Sequence, residues 1–156
     1  MNRQQTLHLL WKRLFLTLVV MIALCLLVLA VGDEVRAGVL VFPIGNIGGY
    51  VGFHKNLGEL SDEEVIDLGG SWWALMAPSF VGGVLAIVIY LLFLSGIVQG
   101  DLFPSFSLTG NGPGVMRLLQ QEATTMADYA KLFFWAFIAG FNQKHVVDLI
   151  QSVKAR

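Results

Sequence analysis

Residues 14–31 read LFLTLVVMIALCLLVLAV, eighteen residues without a charged side chain, and they directly follow Lys12 and Arg13. As a helix this stretch is about 27 Å long, close to the thickness of a bilayer's hydrocarbon core. A second apolar stretch, residues 72–98, opens with Trp72 and Trp73, whose amphipathic rings are interface anchors that favour the headgroup boundary. Two such stretches predict an integral membrane protein, because lipid is the solvent that suits them.

The composition of the 156-residue chain agrees with a membrane setting. Apolar residues make up 56% of the chain and charged residues 13%, about half the charged share of soluble domains. The net charge of -1 gives no electrostatic reason to expect a nucleic-acid partner. The length fits one membrane domain over residues 1–156, and Cys25 has no second cysteine with which to form an intrachain disulfide.

The first stretch also resembles a secretory signal peptide, since it has a basic start and small residues near Ala30. Its apolar part is longer than the core of roughly 7–15 residues that is usual in such signals. More apolar segments follow it. We therefore expect the stretch to be retained as a membrane helix.

Residues 37–53, AGVLVFPIGNIGGYVGF, are uncharged but contain Pro43, Asn46 and five glycines. A glycine-rich loop is one interpretation of this segment. The other is a tightly packed spanning helix, because several of its glycines recur at helical spacing and small residues let helix backbones approach closely in lipid. We favour the helix, with seven predicted helix-packing residues here and in the 72–98 stretch: Gly38, Gly45, Gly49, Gly52, Gly82, Gly83 and Ala86.

Residues 123–141 form the weakest predicted span. Their uncharged core, residues 132–141, covers only about 15 Å as a helix, half of a membrane crossing. Extension back to residue 123 supplies the missing length and brings Asp128 and Lys131, three residues apart, to one membrane surface as a pair of interface anchors. The alternative is a helix that dips into the membrane without crossing it.

The distribution of basic residues favours four crossings. With the N- and C-termini cytoplasmic, seven basic residues lie inside (Arg3, Lys12, Arg13, Lys55, Lys144, Lys154 and Arg156) and three outside (Arg36, Arg117 and Lys131). If residues 37–53 did not cross, the division would be five against five and the positive-inside bias would vanish. The predicted fold is therefore all-α, an integral membrane helical protein with four transmembrane segments at 14–31, 37–53, 72–98 and 123–141.

Three further local predictions concern the segments outside the spans. Ser61 and Glu64 form a capping box, which predicts a short helix in the second loop. Residues 109–114 are rich in turn formers. Residues 146–154 have the pattern of an amphipathic tail helix that lies on the membrane or on a partner.

The residue inventory argues against catalysis. His8, His54 and His145 have no second ligand at metal-binding spacing, and no nucleophile stands beside a base, so no catalytic, cofactor or metal residue is predicted. Asn46 is the polar intramembrane residue that must find a partner. That partner is either the backbone of a neighbouring helix or other copies of Asn46 around a symmetry axis.

Two segments support a bacterial setting by resemblance. The segments are residues 71–106 and 130–150, together about a third of the chain. Within them the matching residues are Leu94-Ser95-Gly96, Gln99-Gly100, Leu102-Phe103-Pro104 and Ala139-Gly140-Phe141. This part resembles small uncharacterised bacterial inner-membrane proteins with an LSG-x-x-QG-x-LFP segment and a C-terminal AGF-x-x-x-x-V-x-D-L segment. Asn142-Gln143 departs from the Ser-Glu expected there. The resemblance implies the bacterial inner membrane and carries no activity with it.

Three functions follow from these patterns. The first is a non-enzymatic integral membrane subunit that self-associates as a homo-oligomer or anchors another membrane or cytoplasmic protein. Its contact surfaces would be the glycine face of the second segment, Gly82-Gly83 with Ala86 in the third, and the cytoplasmic loop and tail. The second is a homo-oligomeric pore or membrane-permeabilising effector, for example of a defence system, which would be narrow because few polar residues could line it. The third, a membrane-embedded enzyme, is disfavoured by the inventory above.

Overall fold

The computed structural model describes residues 3–31, 37–56, 71–107 and 121–143. Most of them belong to four helices: α1 (Arg3–Val31), α2 (Ala37–Asn56), α3 (Trp72–Leu94) and α4 (Met126–Phe141). Between α3 and α4, strand β1 (Phe106–Ser107) pairs antiparallel with β2 (Glu122–Ala123). The architecture is all-α with this short strand pair added. Two of the helices contain segments long and apolar enough to cross a membrane, His8–Leu27 in α1 and Met76–Leu94 in α3.

The four helices run in alternating directions. At one end of the bundle the rings of Trp11 and His54 lie 4.3 Å apart, and the Arg13 guanidinium lies 5.8 Å above the ring of Trp72. These contacts join the start of α1, the end of α2 and the start of α3, and we call this the basic end. At the other end, Tyr90 packs on Gly38 and against the Phe106 ring, which joins the start of α2 to the end of α3 and the strand pair. We call this the capped end.

Helix α2 is the centre of the bundle and packs along both α3 and α4, whereas α1 makes fewer contacts. The main core lies between α2, α3 and α4 and consists of Val41, Ala86, Ile89, Tyr90, Phe93, Leu132, Ala136 and Ala139. A second cluster at the basic end attaches α1 to α2 through Leu10, Leu14 and Tyr50. Helix α1 is therefore held by its N-terminal half.

Two predicted boundaries need correction. Helix α3 ends at Leu94 instead of residue 98, because Gly96 adopts a φ of +69° and its N–H donates to the Phe93 carbonyl at 3.1 Å. Helix α4 begins at Met126 instead of residue 123, because Thr125 is its N-cap and Ala123 pairs with Phe106 in the strands. The first two predicted segments lie within α1 and α2, which extend beyond them to Arg3 and to Asn56. The predicted helix near Ser61, the turn-rich 109–114 run and the tail 146–154 lie outside the described residues.

Candidate functional site

The glycines of α2 contact both neighbouring helices, as the surroundings of a Cβ atom added to each of them show. Gly38, Gly45 and Gly49 face α3, where they contact Tyr90, Ala86 and the Pro78–Gly82 turn. Gly48 and Gly52 face the carbonyls of Phe137 and Phe141 in α4. Gly45 and Gly49 also contact Gly140 of α4, so this glycine face of α2 lies towards both neighbouring helices. Residues three and four apart are neighbours on a helix, and one broad face can therefore meet two partners.

Four glycines from three helices meet near the middle of the bundle, and we call Gly45, Gly49, Gly82 and Gly140 the glycine junction. A Cβ atom added to Gly82 would lie 2.6 Å from the Gly45 carbonyl oxygen and 2.9 Å from the Gly49 Cα. A Cβ on Gly49 would lie 2.7 Å from the Pro78 carbonyl oxygen. These are contacts with backbone, which cannot rotate away as a side chain can. The junction therefore admits only glycine without a shift of whole helices.

Gly140 also belongs to this junction, although it is not among the seven helix-packing residues predicted from the sequence. A Cβ on Gly140 would collide with the Gly45 carbonyl and lie 2.7 Å from the Gly49 nitrogen. The available signal was the pair Ala136 and Gly140, two small residues four apart in a segment otherwise rich in aromatic rings. Both are buried, and the small face they make is the one that meets α2.

Asn46 is buried between α2 and α3, beside the junction. A Cβ on Gly83 would lie 2.9 Å from the Asn46 Nδ2 atom and 2.7 Å from the Phe42 ring. Gly83 thus makes room for two α2 side chains, and Ala86, one turn further along α3, packs on Gly45. The Asn46 amide lies inside one chain, against a neighbouring helix.

Asp128 ties the start of α4 to the segment that follows α3. Its carboxylate accepts hydrogen bonds from the Thr125 hydroxyl at 2.7 Å and from the Ser105 backbone N–H at 3.2 Å. The Thr125 hydroxyl in turn accepts from the Asp128 N–H at 3.2 Å, a reciprocal cap of the helix start. Lys131 completes the group through an ion pair of 3.3 Å with the buried Asp128.

A second link holds the segment after α3 against α4. The indole N–H of Trp135 donates to the Leu102 carbonyl at 2.9 Å. The Trp135 ring stacks on Phe103 with centroids 5.4 Å apart, and Phe103 also contacts Phe93 of α3 at 5.7 Å. Together with the Thr124 N–H, which donates to the Ser105 carbonyl at 3.0 Å, these contacts form a cap over one end of the helices.

Beneath this cap lies a cavity of about 530 Å³. Its walls come from the end of α3, the turn after it, the cap and α4, and they include Phe93, Asp101, Phe106, Gln121 and Lys131. The cavity is within the size range of small-molecule sites. It mixes two aromatic rings with amide and charged groups.

The basic end carries the other predicted anchors and a smaller cavity of about 450 Å³ beside Gly52 and Pro78. Trp72 and Trp73 are exposed there. The Lys55 ammonium lies 5.7 Å above the Phe141 ring, which places the last turn of α4 close to the end of α2. Gln143 follows that turn and donates through its Nε2 atom to the Pro78 carbonyl at 2.7 Å, which fixes the exit of α4 to α3.

Within the described ranges, no group of three or more His, Cys, Asp or Glu residues is arranged to hold a metal ion. The Thr17 hydroxyl donates to the Leu14 carbonyl of its own helix at 2.7 Å, as is usual for threonine in an apolar helix. Comparisons of the chain with protein-family models, with curated proteins and with solved structures gave no match.

Proposed function

We propose that the chain is a non-enzymatic integral membrane subunit of the bacterial inner membrane that self-associates or anchors a partner. It crosses the membrane four times and has both termini in the cytoplasm. The proposal rests on three properties of the described residues: the alternating helix directions, the charges of the two ends, and the exposed second half of α1.

The alternating directions support four crossings. Helix α2 has 20 residues and is therefore about 30 Å long, a full bilayer core. Helix α4, with 16 residues, is about 24 Å long. It nevertheless extends from Asp128 at the capped end to Phe141, which packs on Gly52 one turn before the end of α2. A helix that extends from the capped end to Gly52 of α2 is better explained as a crossing than as a shallow dip.

The charges of the two ends support the orientation. The basic end contains Lys12, Arg13 and Lys55, whereas the described capped end contains Asp101, Glu122 and Asp128 with the paired Lys131. Cytoplasmic loops of membrane proteins are enriched in Lys and Arg. The basic end is accordingly assigned to the cytoplasm.

The surface of α1 is the observation that carries the function. The glycines of α2, α3 and α4, which the sequence made candidates for association, contact one another inside the chain. Large apolar side chains are exposed on both α1 and α3, but those of α1 beyond Thr17 are mostly exposed, with Leu24 at 57% and Leu27 at 60%, and beyond Leu18 this helix adds no described residue to either core cluster. Such a helix can contact lipid or another chain. We therefore assign association and anchoring to the exposed surface of α1.

The test is native mass spectrometry of the full chain in lipid nanodiscs, paired with current recordings in planar bilayers. A defined oligomer or a retained partner, without conductance, is the expected result. A steady monomer that retains no protein from membrane extracts would contradict the subunit function. Discrete channel currents would instead favour the homo-oligomeric pore.

A further inference from the structure

We propose that the cavity at the capped end binds a small organic ammonium group of the ethanolamine or choline type. The group is either a free amine or the headgroup of a lipid. The proposal does not depend on the oligomeric state or on a partner, because the residues that line the cavity belong to one chain.

The charges around the cavity favour a cation. Lys131 is neutralised by its 3.3 Å ion pair with Asp128, so it adds little net charge to the wall. Asp101, which also lines the cavity, is exposed and has no opposite charge in an ion pair among the described residues. The C-terminal end of α3 at Phe93 and Leu94 adds the partial negative charge of a helix terminus. The balance of charge among the described residues of the wall is therefore negative.

The apolar part of the wall is aromatic. Phe93 and Phe106 contribute to it from α3 and from β1. Aromatic faces attract ammonium groups through the ring quadrupole, and combinations of rings with a carboxylate are typical of sites for alkylammonium ligands. An inorganic metal cation would instead need several oxygen ligands at fixed short distances, and Asp101 is the one carboxylate that lines this cavity in the described residues.

Gln121 adds a polar group to the wall. The residue is 7% exposed overall, and it lines the cavity. An amide in a cavity wall can hydrogen-bond to a bound ligand and orient it. Its carbonyl oxygen is an acceptor for an ammonium or hydroxyl hydrogen.

The cavity's place in the bundle leaves two sources of this chemistry. It lies at one end of the apolar helices, where headgroups are found if the chain spans a bilayer. It also lies beside the cap, where a soluble amine can enter. Both sources present the same ammonium group to Asp101 and Gln121, and experiment can separate them.

The experiment is isothermal titration of the full chain in a neutral detergent with ethanolamine, choline and inorganic phosphate. We expect binding of at least one ammonium compound and none of phosphate. Asp101→Asn should weaken ammonium binding about tenfold, since one unit charge at short range contributes that much or more. Gln121→Leu should weaken it several-fold. Glu122→Gln is the matched control, because it removes the same charge from the neighbouring strand outside the cavity, and it should change the dissociation constant less than about twofold.

Native mass spectrometry then distinguishes the sources. Retention of phosphatidylethanolamine over phosphatidylglycerol, lost in Asp101→Asn, identifies a lipid headgroup. Binding of the soluble amine without such retention identifies a free amine. Equal affinity of the Asp101→Asn and wild-type proteins, preferential binding of phosphate, or no ammonium binding at 10 mM ligand, about the weakest affinity of interest here, would overturn the proposal. A thermal unfolding scan of each variant shows whether it is folded. If Gln121→Leu does not fold, Asp101→Asn still tests the proposal, because Asp101 is exposed and its replacement should not disturb the fold.

Discussion

Gly140 of α4 lies directly against the main-chain carbonyl of Gly45 in α2, so close that a Cβ on Gly140 would collide with that oxygen. In lipid there is little hydrophobic drive to bring helices together, and close backbone packing with weak Cα–H···O contacts takes its place. This contact fixes the distance between α2 and α4, while Gly82 fixes that between α2 and α3. The stability of the three-helix core should therefore depend on these glycines more than on its larger side chains.

The first prediction concerns the glycine junction. Gly140→Ala should lower the free energy of unfolding by about 2–3 kcal/mol, because the new methyl group meets backbone that cannot move alone. Gly38→Ala is the matched control. There the Cβ meets only the Tyr90 ring at 3.2 Å, a side chain that can shift, so the loss should be below about 1 kcal/mol. Unfolding in mixed micelles with increasing denaturing detergent measures both, and equal losses would contradict the junction.

The second prediction concerns the cap. Asp128→Ala removes the acceptor for the Ser105 N–H and for the Thr125 hydroxyl and should cost about 2 kcal/mol of stability. Lys131→Met removes only the partly exposed ion pair and should cost less than about 1 kcal/mol. Hydrogen exchange at the Ser105 amide should speed up in Asp128→Ala and stay slow in Lys131→Met. An unchanged Ser105 exchange rate in the Asp128 variant would refute this role.

The third prediction concerns Asn46. Because its amide is buried against Gly83 within one chain, Asn46→Ala should lower stability by about 1 kcal/mol, in line with interhelical polar contacts in membranes. Ser95→Ala, whose exposed hydroxyl bonds back to the Leu92 carbonyl, should change stability by less than about 0.5 kcal/mol. The oligomer should survive Asn46→Ala. A variant that keeps its stability and assembly but loses a membrane current would instead favour a pore lined by Asn46.

The fourth prediction separates the two halves of α1. Leu14 is fully buried against α2, so Leu14→Ala should cost about 2 kcal/mol of stability. Leu24 and Leu27 are exposed, so the double change to alanine should leave the unfolding of the single chain nearly unchanged. It should lower the oligomer fraction or the partner retention in native mass spectra. If the double variant associates like the wild type, α1 is not the association surface.

The sequence allowed the local part of this structure to be predicted. Gly45, Gly49 and Gly82 could be recognised because small residues at helical spacing indicate close packing, and the Asp128–Lys131 pair could be recognised because residues three apart are neighbours on a helix. The end of α3 was overestimated because Ile97 and Val98 continue the apolar run beyond Gly96, which ends the helix through its backbone conformation. The hydrophobicity of the sequence alone does not indicate such a helix end.

The remaining features depend on contacts between distant parts of the chain. The bond from the Ser105 N–H to Asp128 joins residues 23 apart, and that from Gln143 to the Pro78 carbonyl joins residues 65 apart. No periodicity indicates either one. The contact of the α2 glycines with two neighbouring helices was hidden for the same reason, since a single helix cannot show how many helices surround it.

The four-crossing topology can be tested directly by measuring on which side of the membrane each loop lies. In a Cys25→Ser background, single cysteines placed at Ser61 and at Thr109 can be labelled in intact cells with a membrane-impermeant maleimide. A chain with four crossings and a cytoplasmic N-terminus should be labelled rapidly at position 109 from outside, and at position 61 only after the membrane is permeabilised. Helix α3 lies between the two positions, so labelling of both from the same side would mean that α3 does not cross the membrane. That result would contradict the four-crossing subunit.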